Sequence, residues 1–446
     1  MTSEIPIRTK PTGLSTRGAS ASESGSNDIP TLWEVCANLW DPNTNPEGYV
    51  SLGCAENALM HGELRDFINE KNLVDTNARA FTYGDGPFGS IPVRKALAKF
   101  FTERFGAFTP VDADQIVVTN GVTASIEHVA WALANPGEGI LLGRPYYRAF
   151  LPDITQRPNV NVVPVSFGDV NPLSTDCVRK YEEALLESNK QGVKVRALML
   201  CHPHNPLGRC YPRETIISLM KLCQKYQIHL VSDEIYSLTV WKNTVDHFEK
   251  EPVGFESVLS IDLDGIIDPG LIHVLWGTSK DFGANGIRLS AIISQSNPRF
   301  LAACRSPSLM SAPSSLAENA VTHILNDEKF LDFYIKTNQE RISKAYAFAV
   351  KMLNQYDIPY APNANAAFFL FINLSKKLQE KHPESVVDGE PHASTALVYK
   401  LLLAKQVYVV SGDEAGAEEP GWFRLVFTQP EELVEECIKR IAEAMK

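Results

Sequence analysis

Along the chain the apolar positions alternate between two spacings. From Val93 to Phe105 they recur every three or four residues, the period that turns one helix face toward a core. The stretch QIVVTNG that follows is a short apolar run closed by Asn-Gly, which predicts a strand and a tight turn. TASIEHVAWALA then returns to helical spacing until Asn135-Pro136-Gly137 stops it. Further strand-like runs occur at GILLG, NVVPVSF, VRALMLC, IHLVSDE and HVLWGTS, parted by helical patterns such as RETIISLMKLCQKY. Strands alternating with helices predict an α/β fold around a parallel or mixed sheet.

After Ser306 the texture changes. SSLAENAVTHILND and KFLDFYIKTNQERISKAYAFAVKMLNQY keep helical spacing over long spans, and AAFFLFINL and WFRLVFTQ read as strands of a smaller α+β unit. KKLQEKHPESVVDGEPHAST is polar and punctuated by Gly and Pro, and is expected to be a surface loop. The first 28 residues are rich in Ser, Thr, Gly and Pro without apolar periodicity, which predicts a flexible arm. The expected organisation is therefore an arm over 1–28, an N-terminal segment over 29–55 that packs with the small domain, a large domain over 56–315 and a small domain over 316–446. No repeat of fixed period is present.

A chain of 446 residues exceeds what one core organises, so two or more domains are expected. Lys and Arg number 42 against 53 Asp and Glu, a net charge of -11 that is scattered rather than blocked. That excludes a basic footprint for nucleic acid or a polybasic membrane patch and favours small-molecule partners. No apolar run approaches the roughly 18 residues of a membrane helix, and the first residues lack an apolar signal core. Arg8, Lys10 and Arg17 among serines resemble a transit peptide, but Glu4 and Glu23 and the lack of an amphipathic pattern oppose it, so a cytoplasmic location is expected. The eight cysteines form no C-x-x-C pair, so they are expected to be reduced and mostly buried, with no metal site.

Candidate chemistry concentrates at the ends of the strand-like runs. HVLWGTSKDFGANGIRLSAI sets Lys280 between an apolar run and a glycine-bearing loop, with Arg288 eight residues on. A lysine at a strand mouth can hold a phosphorylated carbonyl cofactor. TNGVTAS places Gly121 and hydroxyl residues at a strand-to-helix junction, where free N–H groups and the helix dipole favour a phosphate. Such a turn is often plain geometry, and without G-x-G-x-x-G or a P-loop lysine it argues against nucleotide binding. CHPHNPLG brings Asn205, and IHLVSDEIY brings Asp233, Glu234 and Tyr236. An acid at the end of an apolar strand needs a partner, although a helix cap or a salt bridge is the plainer explanation of Asp233 taken alone.

Five segments in this order, LGCAENAL, NPLG, SDEIYS, TSKDFGANGIR and EPGWFRLVF, make the chain resemble the fold-type I pyridoxal-phosphate enzymes of the class I/II aminotransferase superfamily. Within it the chain resembles the 1-aminocyclopropane-1-carboxylate (ACC) synthase-like group, over about residues 30–430. The resemblance implies a large α/β domain with a central, mostly parallel seven-stranded sheet, a smaller α+β domain, and pyridoxal 5'-phosphate as cofactor. It implies that Lys280 bonds the cofactor aldehyde and, once freed, takes the substrate's α-proton. Arg288, Thr278 and the Val122-Thr123 turn correspond to the phosphate cup, and Asp233 to the acid facing the pyridine nitrogen. Asn205 and Tyr236 match the donors to the ring hydroxyl, Tyr147 the aromatic stacked on the ring with Tyr146 as the other candidate, and Arg424 the grip on the substrate α-carboxylate.

Two departures accompany the match. Pro87 stands two residues before Gly89, where plant-type ACC synthases carry a tyrosine. The nearest tyrosine is Tyr83, which the resemblance places near the phosphate of a neighbouring subunit in a homodimer. In NANAAFFLF alanines replace the usual glycine, and Phe368 and Phe369 are expected to crowd the substrate side chain. Such a cofactor set fixes carbanion chemistry without choosing its outcome. Glu56 in the AEN motif, as a substrate-binding residue, favours elimination or cyclisation at a sulfur-bearing γ or β carbon, as with S-adenosylmethionine. An amino-acid aminotransferase and a cysteine-conjugate C–S lyase are the alternatives. A catalytically silent relative is disfavoured because Lys280, Asp233 and Arg424 are all present.

Overall fold

The Val-, Ile- and Leu-rich runs become strands buried on both faces, as expected when helices cover both sides of a largely parallel sheet. The structure is a computed structural model that describes residues 13–23, 32–74, 78–381 and 393–446. Its strands are β1 (Val50–Ser51), β2 (Ile116–Thr119), β3 (Gly139–Gly143), β4 (Asn161–Val165), β5 (Val195–Cys201) and β6 (His229–Asp233). They continue as β7 (Ile272–Gly277), β8 (Ser290–Ile293), β9 (Phe369–Asn373), β10 (Val407–Tyr408), β11 (Val410–Ser411) and β12 (Trp422–Val426).

A seven-stranded sheet has the order β2-β8-β7-β6-β5-β3-β4, with β8 alone antiparallel to its neighbours. This is a mixed sheet, as the alternation predicts, and mostly parallel with seven strands, as the resemblance implies. β4 carries Pro164 and lies at the sheet edge, where a missing N–H leaves no ladder bond unmade. β8 is only four residues long and is not among the apolar runs read above; it forms by pairing with β2 and β7. On one face, Trp276 of β7 packs among Phe100, Phe101 and Phe282, mostly edge to face.

A second, antiparallel sheet, β11-β12-β9, holds the two runs predicted for the α+β unit, and β1 pairs in parallel with β10. The long helical pattern after Ser306 becomes helices Ser315–Asn326 and Glu328–Gln355. The segment expected as a polar surface loop needs correction at both ends. Ser375–Lys381 and Ala393–Ala404 are helical, the second because Leu397, Val398, Leu401 and Leu402 supply apolar positions; residues 382–392 lie outside the described part.

The described chain falls into two compact units that part between Tyr49 and Val50. The first contains helices Thr16–Glu23, within the expected arm, and Leu32–Cys36, followed by a turn in which Asp41 accepts from the N–H groups of Asn43 and Thr44. Six of the eight cysteines are buried, Cys36 is exposed and Cys54 is half-buried. No helix among the described residues is long and apolar enough to cross a membrane.

Candidate active site

The carboxyl ends of the parallel strands share one edge of the sheet, where loops are free to meet a ligand. Gly121 follows β2 by two residues, Tyr147 follows β3 by four, Asn205 follows β5 by four, Asp233 ends β6 and Lys280 follows β7 by three. These five residues share one edge because they sit at five such ends.

Lys280 lies on a single helical turn, Thr278–Asp281. Its Nζ donates to Ala55 O at 2.6 Å and lies 3.5 Å from Asn285 Oδ1, while Asn285 Nδ2 also donates to Ala55 O at 3.1 Å. The close approach needs Gly283, which has φ +58° and where a Cβ would overlap the Asn57 carbonyl. Burial pushes the Lys280 amine down to about 8; Cys54 and Glu56 oppose the shift, Arg424 and Arg288 assist it. Thr278 is buried, and its hydroxyl donates to Leu289 O at 3.3 Å.

Asp233 is 3% exposed and, among the described residues, its carboxylate accepts only from the Ile235 N–H, at 3.3 Å. Burial pushes its pKa up to about 7. It enters no ion pair among the described residues, so the salt-bridge explanation fails for it. Glu234 beside it is the saturated one: it accepts from Ser232 Oγ, Ser257 Oγ and Val258 N. The two neighbouring acids therefore differ in role, Glu234 knitting the fold and Asp233 holding acceptor capacity in reserve.

Arg424, on β12, crosses to this edge. Its Nη1 donates to Asn205 Oδ1 at 3.2 Å and its Nη2 to Gly53 O at 2.7 Å, and the guanidinium lies 4.6 Å from the Phe369 ring centre. Its Nε is buried without a hydrogen-bond partner, a donor that awaits an acceptor. Tyr236 is buried edge-on against Phe368 and Phe369. The two phenylalanines thus form the wall behind Tyr236, and Phe369 also lies beneath Arg424.

At the other end Gly121 has φ +127°, and a Cβ there would overlap the Arg288 guanidinium. The helix Val122–Leu133 starts at this point, and its first hydrogen bonds run from Ala124 and Ser125 to Gly121 O, which leaves the Val122 and Thr123 N–H groups at the open end. Arg288 is exposed, has φ +56°, and its Nη1 donates to Asn285 O. Thr123, Arg288 and Asp153 line a cavity of about 360 Å³. The Thr123 side chain shares this cavity with Asp153, whose carboxyl is pushed up to about 7 by burial.

Tyr147 and Tyr146 diverge. The Tyr146 ring lies against Gly416, where a Cβ would come 2.7 Å from its Cζ, and the Tyr146 N–H donates to Ala415 O. Tyr147 turns toward Asp233 and Arg424, and burial raises its pKa to about 12. Glu56 is exposed; its backbone carbonyl accepts from Thr428 Oγ1 and Gln429 Nε2, and its carboxylate is near enough to Lys280 to favour the charged amine. Tyr83 is not brought to this cluster within the chain and is 90% exposed. Three participants escape the sequence reading: the Ala55 carbonyl, Asn285, and the ion pair of Arg148 with Glu414, to which Tyr408 adds a hydroxyl 3.2 Å from Arg148 Nη2. Only the arginine within YYRAF hints at the last of these.

The donor set fits one kind of group. A cradle of free N–H groups and a guanidinium that excludes any Cβ suits a phosphate. A buried acid with spare acceptor capacity suits a protonated ring nitrogen, and a buried amine with lowered pKa suits a carbonyl carbon.

The model of the family described as aminotransferase class I and II matches residues 49–441. The human 1-aminocyclopropane-1-carboxylate synthase-like protein 1 is 30% identical over 395 residues, covering 87% of this chain and 74% of that protein. The mouse protein described as probable inactive 1-aminocyclopropane-1-carboxylate synthase-like protein 2 is 29% identical, covering 93% and 69%. Among solved structures, an aspartate aminotransferase mutant of Thermus thermophilus superposes with a TM-score of 0.69 at 19% identity, over 97% of this chain and 99% of that one, a likeness of fold.

Proposed function

The chain belongs to the class I and II aminotransferase family, whose members depend on pyridoxal phosphate, and from that membership we propose an ACC synthase-like amino-acid lyase. In this reading the enzyme removes the α-proton of an amino acid and expels a sulfur-bearing group from its γ or β carbon, with S-adenosylmethionine or a related compound as substrate. The observation that carries it is the junction at Ala55: its carbonyl holds the Lys280 amine, and Glu56 follows directly on the same loop.

The cofactor would be held by the Val122 and Thr123 N–H groups, Thr278 and Arg288 at its phosphate, Asp233 at its ring nitrogen, Asn205 and Tyr236 at its ring hydroxyl, Tyr147 against its face and Lys280 at its aldehyde. Bound there, pyridoxal phosphate supplies an electron sink for the charge left at the substrate's α-carbon. Arg424 takes the substrate α-carboxylate, for which its buried, unpartnered Nε is ready. Lys280 Nζ, its pKa lowered to about 8, is a base matched to neutral pH and takes the α-proton. Asp233 keeps a proton on the ring nitrogen through its carboxylate, and the Phe368–Phe369 wall excludes water behind Tyr236. Glu56, exposed and near Lys280, faces the leaving-group end of the substrate.

The same proposal includes a homodimer. Tyr83, at 90% exposure, lines a groove with Leu309 and Glu318, and Phe81 and Leu309 nearby are 76% and 70% exposed. A second copy would cover these apolar groups and bring Tyr83 to the partner's phosphate cup. Light scattering that finds an active monomer at assay concentration refutes this.

Transamination is the second reading, favoured by Pro87, which leaves the ACC synthase tyrosine unmatched. One experiment separates the two. The holoenzyme is mixed with S-adenosylmethionine, methionine, cysteine conjugates and common amino acids, while the cofactor spectrum and the products by mass are followed. A lyase returns to its starting spectrum after each turnover and releases a sulfur product. Stoichiometric conversion of the cofactor to its amine form, cleared by a keto acid and without sulfur product, assigns an aminotransferase.

A further inference from the structure

Asp281 follows Lys280 directly and is fully buried, yet none of the roles above uses it. Its Oδ2 accepts from Ser237 Oγ at 2.7 Å and from Trp276 Nε1 at 2.8 Å, and its Oδ1 accepts from the Leu238 N–H at 2.9 Å. The donors belong to two different parts of the sheet edge. Trp276 is on β7, next to the lysine turn, whereas Ser237 and Leu238 lie just beyond Tyr236 in the loop that leaves β6 after Asp233. One carboxylate therefore ties the turn that carries Lys280 to the loop that carries Asp233 and Tyr236.

The tie matters because the lysine turn cannot hold itself in place. Thr278–Asp281 is four residues long, too short for its own hydrogen bonds to define it. The lysine side chain is flexible, so the placement of its Cα decides where Nζ can reach. A carboxylate is the group this pocket requires, since an indole N–H and a backbone N–H only donate. An amide offers one acceptor oxygen and turns its NH₂ toward a donor, leaving a buried donor unpaired.

We propose that Asp281 is a positioning residue: by accepting from Ser237, Leu238 and Trp276 it fixes the Lys280 turn relative to Asp233 and Tyr236, and so sets the approach of Nζ to the reacting carbon. The proposal rests on the reading of Lys280 as the cofactor-bonding lysine.

The test compares the parent with Asp281→Asn and Ser237→Ala, each purified as holoenzyme and then stripped of cofactor. Borohydride reduction of the parent, followed by peptide mass analysis, first identifies the labelled lysine. A label on any lysine but Lys280 overturns the underlying reading and this proposal with it. With the label on Lys280, two measurements concern Asp281 alone. Binding of pyridoxine 5'-phosphate, which has the ring and phosphate but no aldehyde, is expected to be unchanged in the variants. Covalent capture of pyridoxal phosphate by Asp281→Asn is expected to slow roughly a hundredfold, the cost of misplacing a reacting group by about 1 Å. The pH midpoint of the visible cofactor band is expected to move by about one unit. Should Asp281→Asn fail to fold, Ser237→Ala removes a single donor and is expected to show the same pair of changes at about tenfold. Parent-like capture and an unmoved midpoint in a folded variant, whatever its stability, overturn the positioning role.

Discussion

The two ends of the candidate site are built differently. At the lysine end every element is fastened by the chain itself: Nζ to Ala55 O, Asn285 to the same carbonyl, and Arg424 to Asn205 and Gly53. At the cup end the groups are poised but loose. Among the described residues Arg288 is exposed and bonds back to its own loop at Asn285 O, the first N–H groups of the helix Val122–Leu133 stand open, and Tyr83 is 90% exposed. Under the proposed function, the end that places a proton within a fraction of an ångström is fixed before any ligand arrives, because misplacement there acts on the rate. An end that binds a charged phosphate can leave its final ordering to the ligand and, under the dimer proposal, to a second subunit.

That contrast predicts effects on rate at one end and on affinity at the other. The largest is expected for Lys280→Ala, which removes both the covalent anchor and the base. Turnover should fall by at least ~10⁴-fold while the fold is retained, as judged by circular dichroism and by the loss of borohydride-fixed cofactor. Near-normal turnover in that variant breaks the assignment of the lysine end. Asp233→Asn should follow, at roughly 10²–10³-fold in kcat, because the neutral amide no longer holds the ring nitrogen's proton. A loss under about tenfold rejects that role.

At the cup the expectation changes character. Gly121→Ala sets a methyl into the Arg288 guanidinium at φ +127°. A strain of about 2 kcal/mol corresponds to ~thirtyfold weaker cofactor retention. Equilibrium dialysis against pyridoxal phosphate measures this, and kcat at saturating cofactor should stay near that of the parent. An affinity left intact with a reduced kcat would erase the distinction between the two ends.

The smallest effect is one of pH. Because burial lowers the Lys280 amine to about 8 and only the neutral amine attacks an aldehyde, covalent capture by the cofactor-free enzyme should accelerate as pH rises through that value. It should increase about fivefold from pH 7 to pH 8 and level off above, where an ordinary lysine would still be climbing toward its pKa near 10.4. Stopped-flow absorbance follows the rate. A midpoint at the ordinary value would mean that the amine is solvated and the lysine end open.

The alternation of apolar runs and helical spacings was sufficient for a parallel or mixed sheet, because a strand covered on both faces has to be continuously apolar. The same runs located Asn205, Asp233 and Lys280, since each sits where an apolar run stops and a loop begins. β8 was less legible: its four residues owe their strand conformation to pairing with β2 and β7 on either side. The helices at Ser375–Lys381 and Ala393–Ala404 were obscured by the polar, Gly/Pro-marked residues between them.

Other features depended on residues far apart in the chain. SDE presents two acids side by side, and only the approach of Ser257 and Val258 decides that Glu234 is spent on the fold while Asp233 keeps a free acceptor. Tyr146 and Tyr147 are equivalent in sequence until Gly416 arrives beneath one of them. Arg424 meets Asn205 across 219 residues and Gly53 across 371, and the Asp281 carboxylate gathers its donors from two segments. A local pattern fixes the backbone path and the polarity of each face, because those depend on neighbours a few residues away. Which buried polar group is satisfied and which is left to act depends on hydrogen-bond partners that only the packed chain supplies.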